Sequence, residues 1–134
     1  KKTLREELIN SGVSEKSAVY TVNEFPYLEN ILSWKEKLPI DENDYEIIKN
    51  ISEQRVKYGR EKFVEKGGSG DLYDLLIKNW VNIPEINLIF YHGIKTIEDL
   101  LNMDMRGLLK IFEYNLADVL YHNIVQKHHN INRS

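Results

Sequence analysis

Apolar residues recur along this chain at helical spacing, and short polar or glycine-bearing breaks separate the runs. "TLREELINSG" opens with Thr3 and Glu6 at capping-box positions and stops at Gly12. "SEKSAVYTVNEF" starts at Ser14 and ends before Pro26, and "YLENILSWKEKL" ends before Pro39. "NDYEIIKNI" and "EQRVKYGREKFVEK" follow as two further helices, with Ile47, Ile48, Ile51, Val56, Phe63 and Val64 as expected core. Beyond a glycine tract, "DLYDLLIKNW" sets Leu72, Leu75 and Leu76 on one face. "IPEINLIFYHG" has Pro84 near its start and Gly93 as its stop. Thr96 caps "TIEDLLNM", and "MRGLLKIF" and "NLADVLYHNIVQKHH" complete the chain. No segment alternates with the period of a strand. The expected fold class is all-α, built from short helices and tight turns.

The pattern repeats. A constant offset of 61 superposes Ile47-Ile48-Lys49 on Leu108-Leu109-Lys110, Ile51 on Phe112, Val56 on Ala117, Phe63 on Ile124 and Val64 on Val125. Upstream, "FPYLENIL" matches "IKTIEDLL" at an offset of 69, with Phe25 on Ile94 and Leu28 on Ile97. Three helices agree in order, which reads as an internal two-fold repeat. The first half then carries eight extra residues, roughly "WKEKLPID".

Gly67-Gly68-Ser69-Gly70 lies at the repeat boundary. A Walker-type phosphate loop needs Lys and Ser/Thr after its last glycine; Asp71 follows instead and repels phosphate. Gly67 suits a helix C′ position, yet the tract also has the composition of an engineered flexible linker. The expected organisation is a first domain at 1–66, an engineered linker at 67–70 with few packing contacts, and a second domain at 71–134.

Composition narrows the chemistry. With 134 residues, 42% hydrophobic and 29% charged, the chain suits one domain or two very small ones. No apolar run approaches the ~18 residues of a membrane span. "KKTLREEL" lacks the apolar centre of a signal peptide. Cysteine is absent, which excludes disulfides and thiolate metal sites. The net charge of −3 gives no strong general attraction to nucleic acid. His92, His122, His128 and His129 show no helical pair at zinc-ligand spacing. Asp41, Glu42, Asp44 and Glu46 cluster at a helix start, where the macrodipole accounts for them. No nucleophile, base and acid stand together, so no catalysis, metal or cofactor is expected. Trp34, Trp80, Tyr73 and Phe90 read as core or interface anchors. The run Arg55, Lys57, Arg60, Lys62 and Lys66 either lines a DNA backbone or is the solvated face of a helix. A helix-turn-helix reading of residues 4–24 is weaker, because its recognition helix would carry one Lys and two Glu.

"GVSEKSAVYTVNEFPYLENIL" resembles the first hairpin and following helix of tandem helix-hairpin-helix domains, and is similar to those of the XPF/MUS-type nuclease family and its pseudonuclease relatives. Gly12, Val13, Ser14, Phe25, Leu28, Ile31 and Leu32 carry the likeness. "IPEINLIFYHGIKTIEDLLNMDMRGLLKIF" resembles the same unit, with Pro84 and Ile86 matching. The resemblance implies two tandem helix-hairpin-helix domains of the SAM-like class, packed as a pseudo-two-fold pair. It implies an interface that includes Ile51, Phe63, Phe112 and Ile124.

The departures from the family pattern shift the reading. The second-hairpin places read "NISEQR" and "IFEYNL", without glycine, and Glu85 stands where the second half should carry its first-hairpin glycine. Such hairpins present backbone N–H groups to a phosphate beyond a glycine turn. Only the first hairpin keeps that chemistry: Gly12 in the turn, the amides of Ser14 and Glu15 facing solvent, and Lys16 beside them. Arg55, Lys57, Arg60 and Lys62 would add charge. Missing glycines resemble the noncatalytic members, including the meiotic crossover-promoting pair. The expected function is therefore a noncatalytic heterodimerisation module that binds branched or duplex DNA weakly, in nuclear DNA repair or meiotic recombination. The alternative is a pure protein–protein interaction scaffold, with a further protein partner and no DNA.

Overall fold

The structure, a computed structural model, describes residues 2–133. The described residues form helices and turns with no strand. The chain divides into two compact units, Lys1–Gly59 and Arg60–Ser134. The division falls inside a helix, seven residues ahead of the glycine tract.

In the first unit, α1 (Leu4–Asn10) starts where Thr3 Oγ1 accepts the Glu6 N–H at 3.2 Å. It ends in a Schellman turn. Gly12 adopts φ 104°, its N–H bonds Ile9 O, and the Val13 N–H bonds Leu8 O, each at 3.1 Å. α2 (Glu15–Glu24) begins at Ser14 and stops at Phe25, which Pro26 forces out of the helical region. A 3-10 helix (Leu28–Ser33) and a non-helical strap, residues 34–41, lead to α3 (Glu42–Glu65). Leu8, Val13, Ala18, Phe25, Leu28, Ile31, Leu38 and Ile48 form the core.

Two sequence expectations change here. "YLENILSWKEKL" is helical only over Leu28–Ser33: Trp34 turns extended to pack edge-on against Phe25 at 5.7 Å, and Leu38 buries in the core. "NDYEIIKNI" and "EQRVKYGREKFVEK" are not separate helices but one of 24 residues. Residues 50–53 contain no glycine or proline, and the fully buried Ser52 hydroxyl bonds back to Ile48 O at 2.8 Å.

The second unit contains α4 (Gly70–Lys78), α5 (Ile83–Tyr91), α6 (Ile97–Leu101), α7 (Met105–Ile111) and α8 (Tyr114–Leu120). A π-helical turn (Tyr121–Val125) carries α8 into α9 (Gln126–Arg133). Leu72, Tyr73, Leu76, Ile86, Ile89, Leu100, Leu108 and Val125 are buried. Phe63, from the last turns of α3, packs on Tyr73 at 5.7 Å and Phe90 at 5.5 Å. Burial of such a ring contributes about 2–3 kcal/mol. Phe112 is extended between α7 and α8 and meets His92 edge-on at 5.5 Å.

Residues 67–70 are built into this unit. Gly67, at φ 111°, is the C′ residue of a second Schellman turn: its N–H bonds Val64 O, and the Gly68 N–H bonds Phe63 O, both at 2.9 Å. Gly68 is buried, and a Cβ there would lie 2.3 Å from the Phe63 ring. Ser69 caps α4 by accepting the Leu72 N–H at 3.3 Å, and its own N–H bonds Lys95 O at 2.8 Å. The expectation of a tract with few packing contacts is not met.

Candidate phosphate site at the first helical hairpin

The turn from α1 to α2 places Gly12, Ser14 and Lys16 together, with Gly12 at the positive φ that this chemistry requires. The donors, however, are already engaged. Asp44, at the start of α3, reaches across the unit. Its Oδ1 accepts the Ser14 N–H at 3.2 Å, and its Oδ2 accepts the Ser14 hydroxyl at 2.7 Å and the Ser17 hydroxyl at 2.6 Å. Asp41 in turn accepts the N–H groups of Asn43 at 2.8 Å and Asp44 at 3.3 Å, which fixes the first turn of α3. Asp44 is 7% exposed. The Ser17 hydroxyl, then the Ser14 hydroxyl and N–H, hold its carboxyl below the usual aspartate range, against the opposing effect of burial.

An internal carboxylate therefore sits where the hairpin would receive a phosphate, at the positive end of the α2 dipole. The expectation that the Ser14 amide faces solvent is corrected. An incoming phosphate would have to displace Asp44 from three charge-assisted hydrogen bonds. In the sequence, Asp44 stands out only as one of four acidic residues at a helix start. Its partners lie 27 and 30 residues away, a link that spacing does not reveal.

Arg55, Arg60 and Lys62 are also engaged. Arg55 bonds Glu7 at 2.8 Å. In the second unit, Arg60 grips Asp74 through two bonds of 2.9 and 3.1 Å, and Lys62 lies 3.7 Å from Glu65. Lys16 and Lys57 are exposed. Of the expected interface residues, Ile51 is half-buried against the first unit's core, while Phe63, Phe112 and Ile124 are buried.

In the second unit, the turn from α4 to α5 has the same frame as the first hairpin. The Trp80 N–H bonds Ile77 O at 3.1 Å and the Val81 N–H bonds Leu76 O at 3.0 Å. The counterpart of Gly12 is thus Trp80, at φ 68°, and not Glu85. Glu85 lies in the first turn of α5, where it completes a capping box with Asn82.

The strap 34–41, which coincides with the eight extra residues of the first half, walls two clefts of about 680 and 560 Å³. Lys37, Leu38 and Ile40 border both. Among the described residues no group of three or more His, Cys, Asp or Glu could hold a metal ion. No helix among them is long and apolar enough to cross a membrane. No family model matches the chain, and no curated protein or solved structure matches it.

Proposed function

We propose that this chain is a noncatalytic protein-interaction module of helix-hairpin-helix character, in which two related halves pair and present their surface to a further protein. The observation that carries this reading is the Asp44 carboxylate on the Ser14 and Ser17 donors. It removes the strongest reason to assign DNA binding to the first hairpin. The pairing of Arg55 with Glu7 and of Arg60 with Asp74 points the same way. With the resemblance to XPF/MUS-type domains, the setting is a nuclear complex of DNA repair or recombination.

Fluorescence anisotropy with duplex and branched DNA at low salt tests the choice between scaffold and DNA module. The parent chain and Lys16→Glu are expected to show equally negligible binding. Salt-dependent binding that Lys16→Glu abolishes would restore the DNA reading, because each phosphate neutralised contributes about 0.9 to the salt slope.

A further inference from the structure

Within the second unit, two lysines from different turns meet at one aromatic ring. Lys66 directly follows α3, and Lys95 lies in the turn after α5. Each ammonium is 5.2 Å from the centre of the Phe90 ring. The two charges therefore stand within roughly 10 Å of each other, about one Debye length at 0.1 M salt. Lys66 is also 5.2 Å from the Tyr91 ring centre, and its Nζ donates to Asn87 Oδ1 at 3.2 Å. Phe90 is buried, with Phe63 and Tyr91 edge-on at 5.5 and 5.9 Å, so packing fixes the ring that gathers the lysines.

Each lysine has a local reason for its place. A helix C-terminus favours a cation after it, and so does the quadrupole of an aromatic ring. Neither supplies a counter-charge. Arg55, Arg60 and Lys62 each have a carboxylate partner, whereas among the described residues no carboxylate lies within 4.0 Å of the Lys66 or Lys95 ammonium. Both lysines are exposed, and Tyr91 beside them is 73% exposed. An ammonium has three N–H donors, of which Asn87 takes one at Lys66.

We propose that this edge of the second unit receives an acidic segment of a partner protein, with one carboxylate on Lys66 and a second on Lys95. Acidic residues at i and i+2 of an extended segment point to one side about 7 Å apart, which suits the pair. The rings already hold both ammonium groups, so binding orders little that was free. The Tyr91 hydroxyl adds a donor at the same edge. A nucleic-acid strand suits the edge less, because its charge repeats at every nucleotide. Here Glu65 precedes Lys66, and Glu98 and Asp99 follow Lys95, with the Asp99 carboxylate on the Lys95 N–H at 2.9 Å. The proposal rests on the reading of the chain as a protein-interaction module and names the chemistry of its partner.

The test uses the full chain with ¹³C-labelled lysine and NMR at low salt. The Lys66 and Lys95 Cε signals are the reporters, and those of Lys16 and Lys57 are internal controls for general attraction to exposed lysine. The probe is acetyl-Glu-Ala-Glu-Ala-Glu-amide, with the matched glutamine peptide and an oligo-dT of equal length. The acidic peptide should move Lys66 and Lys95 saturably and leave Lys16 and Lys57 in place. The glutamine peptide should have no effect, and salt near 0.15 M should weaken the acidic one. Lys66→Gln and Lys95→Gln should each weaken binding about threefold, and the double variant about tenfold, while Lys16→Gln changes nothing. If a variant does not fold, the comparison of the two peptides decides. No saturable shift, equal responses to the two peptides, equal movement of Lys16 and Lys57, undiminished binding by the double variant, or tighter binding of oligo-dT than of the acidic peptide would each overturn the proposal. Duplex binding that Lys16→Glu abolishes would overturn the module reading instead, so the two fail separately.

Discussion

The turns α1–α2 and α4–α5 solve one geometric problem with different residues. Both end a helix with a Schellman pair of hydrogen bonds and start the next from a polar N-cap, Ser14 or Asn82. In the first, glycine supplies the left-handed residue, and the N-terminal donors of α2 are satisfied from a distance by Asp44. In the second, tryptophan occupies the left-handed position, and α5 is satisfied locally by Glu85. Helix-end donors are thus taken in both turns. In the first unit the partner that takes them also closes the site that glycine had opened.

The largest effect should come from Asp44. Asp44→Ala leaves the Ser14 N–H and the buried Ser17 hydroxyl without their acceptor, and should cost about 2–3 kcal/mol in denaturant unfolding. A loss under about 0.5 kcal/mol would show that the contact is incidental. The same residue sets an acid sensitivity. Its folded pKa lies below the unfolded value, so the unfolded chain takes up the proton first as pH falls. The stabilisation is complete above about pH 4 and is lost as pH drops through the folded value. Asp99, held low by the Lys95 N–H and then the Thr96 N–H and hydroxyl, contributes in the same direction. Asp44→Asn should flatten the profile by its share and leave that of Asp99.

Gly12→Ala should cost about 1–2 kcal/mol, because the penalty lies in the left-handed backbone. A Cβ there would meet Ile47 at an ordinary 3.6 Å. If Gly12→Trp costs far more than Gly12→Ala, the likeness of the two turns breaks down. Glu85→Ala, which removes a local cap, should cost about 1 kcal/mol, clearly less than Asp44→Ala. The smallest effect is that of Lys16→Glu, expected within about 0.5 kcal/mol of the parent at this exposed position.

Much of the fold was legible because it rests on local chemistry. Thr3, Ser14 and Thr96 cap the helices they were expected to cap, and Gly12 and Gly93 end theirs. The all-helical class follows from apolar spacing alone. What escaped depends on tertiary contact. Trp80 replaces glycine where the hydrogen-bond frame, rather than the residue type, defines the turn. Residues 50–53 carry nothing that stops a helix, so the expected break between "NDYEIIKNI" and "EQRVKYGREKFVEK" yields to one continuous helix. The site residues Gly12, Ser14 and Lys16 were readable as a hairpin; that Asp44 fills it was not, since no spacing rule joins α2 to the start of α3.

The most direct measurement is an acid titration of the Asp44 carboxyl by ¹³C NMR, with the Ser14 amide followed in the same samples. The expected result is a midpoint below the ordinary aspartate value of about 3.9, shared by the carboxyl and the Ser14 amide, since one hydrogen bond joins them. An ordinary or raised Asp44 midpoint, or a Ser14 amide that does not follow it, would contradict the occupied hairpin and return its donors to solvent.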